Sequence, residues 1–170
     1  TVLQLTDKRG GENFSTPGAP FARLKKGADT HRASAVSYAD ERITVRFGDS
    51  GVEVVTAVKT LDRYFVFEVI SVSSEDVDEL TFVDVPLTLK GTHEEPLACS
   101  ALALNLKTNV REFPQPNSRL TATCYARFGL AGAQAAVVAC PPDELRAVIQ
   151  EAVAAAPEVP HSPIGGPWAL

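Results

Sequence analysis

Histidine, cysteine and carboxylate side chains carry most protein chemistry, and in this 170-residue chain they are few or badly spaced for it. His31, His93 and His161 are far apart and keep no ligand spacing to Cys99, Cys124 or Cys140, so neither a zinc site nor any other metal or cofactor is expected. Nucleophilic catalysis needs a serine or cysteine held beside a base, and the sequence gives no reason to pair one with any histidine. Phosphate-binding glycine loops, a nucleophile elbow and an H-E-x-x-H motif are all absent. Carboxylates crowd two turns, Glu75, Asp76, Asp78 and Glu79 in one and Glu94 and Glu95 beside His93 in the other. Calcium favours such loops, but the spacing is not that of an EF-hand, and a solvated turn that limits strand aggregation is the simpler reading. Glycosidase carboxyls must face each other about 5 to 10 Å apart across a sugar, and no spacing here establishes that.

Binding residues are the next candidates. Arg23, Lys25 and Lys26 form a basic cluster that could meet a phosphate or an anionic sugar, although a solvated basic face is the expected reading. Tyr125, on the polar side of an alternating run, and Tyr38, at a strand end, are the candidate platforms for a carbohydrate ring. With aromatics at 7% of the chain, plain packing is the simpler reading for both. The three cysteines are odd in number, form no C-x-x-C pair and sit in apolar runs, which points to buried free thiols rather than one disulfide and a spare. A net charge of −5 argues against a nucleic-acid partner, and no apolar run approaches the roughly 18 residues of a membrane helix, so no membrane partner is expected.

Strands must position these groups. In "ITVRF", Ile43, Val45 and Phe47 share a face; "GDSG" at 48–51 signals a turn, and "VEVVTAVK" reads as the next strand. "YFVFEVISVS" is apolar on both sides, as a central strand covered on two faces would be. The short connections imply antiparallel neighbours. "LTFVDVPLTL" follows, with Pro86 suggesting a bulge or an edge, and then "LACSALALNL", "RLTATCYARF" and "QAAVVAC". In the second of these Leu120, Ala122, Cys124, Ala126 and Phe128 should point inward, and Arg119, Thr121, Thr123, Tyr125 and Arg127 outward. Residues 6–33 read as loop, with a short extended piece near Phe21. After Pro141-Pro142 the positions Leu145, Val148, Ile149, Ala152, Val153 and Ala156 repeat at helical spacing, and Pro157 ends the helix. The expected fold is mainly β, an antiparallel β-sandwich of about 8 to 12 strands with one C-terminal α-helix.

Methionine is absent, and the opening "TVLQLTDKRG" reads as a strand and turn without signal-peptide zones. The expectation is a domain at 1–157 and a linker at 158–170, with both ends cut from a longer protein; a processed secreted protein with an unusually apolar tail is the alternative. The tail "EVPHSPIGGPWAL" would then present Trp168 and Leu170 for docking on a downstream domain.

The run from "DVDELTFVDVPLTLKG" through "ACSALALNLKTNV" and "RLTATCYARFGLAGAQAAVVACPPDELRAVI" to "PHSPIGGPWAL" resembles the N-terminal β-sandwich region of bacterial multidomain glycoside hydrolases with an alpha-galactosidase-like barrel. The resemblance spans roughly residues 65–170 and carries no catalytic residue, because the carboxylates of such enzymes belong to the barrel. It implies a non-catalytic sandwich that buttresses a downstream catalytic domain of the same chain and could lend a loop to its cleft. A carbohydrate-binding module acting through Tyr125 is the alternative, with a glycan as partner, and a protein–protein interaction sandwich is the third reading.

Overall fold

The computed structural model describes residues 5–7, 9–89, 92, 94–110 and 119–159. Trp168, Leu170, His93, His161 and the linker from 160 onward therefore lie outside the described residues. Within them the chain runs through β1 (Arg23–Lys26), β2 (Asp29–Arg32), β3 (Ala35–Ala39), β4 (Arg42–Phe47), β5 (Val52–Thr60) and β6 (Tyr64–Val72). It continues through β7 (Glu79–Pro86), β8 (Ala98–Ala103), β9 (Thr108–Asn109), β10 (Arg119–Tyr125) and β11 (Gln134–Cys140), and then α1 (Leu145–Ala154). Two antiparallel sheets result, ordered β2-β1-β7-β10-β9 and β3-β4-β5-β6-β11-β8. The mainly-β architecture with a single C-terminal helix is the one expected.

Period-2 alternation decides what fills the space between the sheets. Leu24, Leu80, Phe82, Val83, Leu120 and Cys124 of one sheet meet Val45, Phe47, Val54, Phe67, Val69 and Val137 of the other in one buried cluster. Between β4 and β5 the "GDSG" turn closes through Gly51, whose φ of +67° belongs to the left-handed region that a side chain disfavours.

β6 and β11 are apolar on both faces because the six-stranded sheet is covered twice. Phe67, Ala135 and Val137 point into the sandwich, whereas Tyr64, Ala136, Val138 and Cys140 point out to α1. The helix answers with Val148 and Ala152, joined by Ala156 just past its end, all buried, and Ile149 is only half-buried. Arg63, in the β5–β6 turn, holds the exposed side of α1 through an ion pair with Glu151. Glu158 and Val159, assigned to the linker, still touch this body: Glu158 accepts a hydrogen bond from the Leu106 amide at 3.3 Å, and Val159 packs on the helix cluster.

Three expectations need correction. The stretch 6–33 is not simply loop: β1 and β2 pair as a hairpin and extend the five-stranded sheet. Pro86 closes a central strand, and the bulge falls at Phe82, where the register steps from Ala122↔Val83 to Thr123↔Thr81. That extra residue lets Phe82 and Val83, adjacent in sequence, both face the core. Neither Ala126 nor Phe128 points inward, because Ala126–Phe128 form a 3₁₀ turn that ends the alternation, leaving Ala126 exposed and the Phe128 ring 52% exposed.

Docking of α1 rests on Val148. Val148→Ala should lower the unfolding free energy by about 1–3 kcal/mol in urea titration, and the exposed Gln150→Ala should leave it within about 0.5 kcal/mol. Equal, small effects would show the helix undocked.

Candidate ligand-binding face

The outer side of the five-stranded sheet is polar where the matching side of the other sheet is covered by α1. Alternation on β7 and β10 sends Thr81, Asp84, Thr121 and Thr123 to this side, and β1 adds Arg23 and Lys25. Asp84 is the unusual member. It is 0% exposed, flanked along the chain by two core valines, and a buried carboxylate must find charged or hydrogen-bonding partners.

Its partners come from the strands on either side. Arg119, opening β10, donates from Nε to Asp84 Oδ1 at 2.7 Å, and its Nη2 forms an ion pair with the same oxygen at 2.6 Å. Arg23, on β1, brings Nε to 2.8 Å from Oδ2, an ion contact too poorly aligned to count as a hydrogen bond. One carboxylate thus ties three adjacent strands and sets two guanidinium groups side by side. Both arginines remain more than a third exposed, at 42% and 36%.

A groove of about 310 Å³ lies over this cluster. Arg23, Lys25, Thr30, Glu79, Thr81, Arg119, Thr121 and Thr123 line it. Thr81 and Thr123 satisfy each other across the strands at 3.1 Å. Thr121 does not: its hydroxyl is buried and has no hydrogen-bond partner, although the residue is only 5% exposed.

The sequence candidates divide between two places. Tyr125 stands opposite Glu79 in the β10–β7 register, at one end of the groove, and the Arg127 guanidinium lies 5.6 Å from its ring centroid. Tyr38 sits on β3, at the far edge of the other sheet, 63% exposed. It lines a separate apolar cavity of about 380 Å³ with Phe21, Phe65, Phe67, Val58 and Val137. The two tyrosines therefore form no common platform. The basic cluster also splits: Arg23 and Lys25 line the groove, whereas Lys26 pairs with Asp76 at 3.2 Å.

The acidic turn is structural, with Asp78 Oδ2 accepting a hydrogen bond from the Gly27 amide of the β1–β2 turn at 2.6 Å. His31 pairs in register with the core residue Leu24 and lies away from the groove. Among the described residues no group of three His, Cys, Asp or Glu side chains could hold a metal ion. Cys99, Cys124 and Cys140 are free and buried, as expected. Burial pushes the Cys99 and Cys124 thiols up to about 12 and raises Cys140.

Sequence reasoning passed over Asp84, Thr121 and Arg119 as a unit. A signal was there: "FVDVPL" places one carboxylate inside an apolar strand, and such a residue demands a buried cation. In comparisons with known proteins, no family model, no curated protein and no solved structure matches this chain.

Two outcomes follow from this geometry. Asp84→Ala leaves two guanidiniums without their counter-charge and should cost about 3 kcal/mol, the low end for a broken buried pair because the arginines keep part of their hydration. Calorimetric or denaturant unfolding reads this, and a loss below about 1 kcal/mol would mean that solvent screens the pair.

The thiols supply a pH test. A neutral folded thiol with a pKa raised from 9.0 to about 12 contributes stability that is fully present below pH 9 and is lost as pH rises towards 12. At pH 8 a chromogenic disulfide should titrate the three thiols only in denaturant. Prompt reaction in the native protein would contradict their burial.

Proposed function

We propose that this chain is a non-catalytic accessory β-sandwich of a carbohydrate-active enzyme, and that it holds glycan on the outer face of its five-stranded sheet. The observation that carries the reading is the groove over Asp84. Four threonines and three cationic side chains converge there, and a sheet face supplies the rigid backing that a binding site needs. Hydroxyl-rich ligands are met by such arrays through cooperative donor and acceptor pairs. The association with a glycoside hydrolase barrel rests on the sequence resemblance over roughly residues 65–170.

The second reading, in which the sandwich buttresses a catalytic domain, draws on a different feature. Tyr38 and Phe65 leave 63% and 43% of their surface exposed beside the apolar cavity, as a surface that meets another domain would.

A glycan array of neutral, carboxylated and sulfated oligosaccharides separates the two readings. The expected result is selective retention that falls at least tenfold in Arg119→Ala, with no turnover of aryl-glycosides by this chain. Hydrolysis by the chain would overturn the accessory role, and an array without a single retained glycan would leave only buttressing.

A further inference from the structure

The geometry points to an acidic saccharide as the ligand of the Asp84 groove, with its carboxylate or sulfate oxygens held by Arg23, Arg119 and Lys25. This rests on the glycan-binding reading above and narrows it to a chemical class.

Aromatic stacking is scarce on this face. Tyr125, at its end, is half-buried and shares its ring with Arg127, so a neutral sugar would have little surface to lie on. Charged donors are abundant instead. Asp84 occupies Nε and Nη2 of Arg119 and Nε of Arg23. Both arginine side chains stay more than a third exposed on the groove, and Lys25 is exposed beside them. Two guanidiniums fixed by one carboxylate are preorganised, so little side-chain entropy is lost when an oxyanion arrives. The cations Arg23, Lys25 and Arg119 outnumber the carboxylates Asp84 and Glu79 here, on a chain whose net charge is −5. Local charge therefore runs against the chain as a whole, as focused attraction of an anion requires.

The test uses an oligogalacturonate and its fully methyl-esterified form, together with the carboxylated, sulfated and neutral glycans of the array. Calorimetric titration at low and moderate salt reads the affinity. Acid forms should bind at least tenfold more tightly than their esterified or neutral counterparts, and the difference should shrink as salt screens the charges. Lys25→Gln, which breaks no ion pair with Asp84, should lower the salt dependence. Equal binding of acid and neutral forms would overturn the acidic class and keep the glycan reading. Absence of binding by all of them would overturn both. Binding of free sulfate as tight as that of any saccharide would replace the saccharide with a simple oxyanion.

Discussion

A carboxylate sealed from water in the middle of the five-stranded sheet governs how that half of the molecule is built. Asp84 cannot be buried alone, so β1 and β10 must each deliver an arginine to the strand between them. Registers across three strands are thereby fixed by charge as well as by hydrogen-bonded ladders. Clusters of this kind are seldom what makes a domain stable, since packed apolar groups of the same volume do as well or better. The contribution of Asp84 is orientation. It holds two guanidinium groups beside one carboxylate, under a groove that both arginines line.

The two sheets solve the same problem differently on their outer faces. β11 carries small apolar residues on both sides, and α1 covers the outer one with Val148 and Ala152, helped by Ala156 just beyond it. β10 alternates strictly, and its outer threonines are shielded by long basic side chains rather than by a helix. The bulge at Phe82 links these choices. Were the alternation strict through Phe82, Val83 and Val85 would turn outward and Asp84 would point into the apolar core.

Period-2 and period-3.6 patterns made most of the architecture legible. The alternation in "RLTATCY", the doubly apolar "YFVFEV" and "QAAVVAC", the glycine turn at 48–51 and the helix after Pro142 all report burial on one or two faces, which is what side-chain polarity encodes. The β1–β2 hairpin escaped because "RLKKGADTHR" is polar throughout, and edge strands of that composition look like loop. The bulge was sought at Pro86 because proline is the visible mark, whereas Phe82 carries no such mark. For the site, the basic cluster at Arg23 and the outward side of β10 were readable as separate features. Their meeting over Asp84 depends on contacts 35 and 61 residues apart in sequence, a long-range pairing that no local window contains.

The most direct test of the central claim is hydrogen exchange at the arginine side chains, followed by nitrogen-edited NMR near neutral pH. The account predicts that the Nε–H proton of Arg119, held against a carboxylate shielded from water, gives a separate resonance that exchanges far more slowly than that of an exposed arginine such as Arg42. An Arg119 Nε–H that exchanges as fast as Arg42 would show that Asp84 does not fix the guanidinium, and the groove would lose the rigid donors on which the binding argument stands.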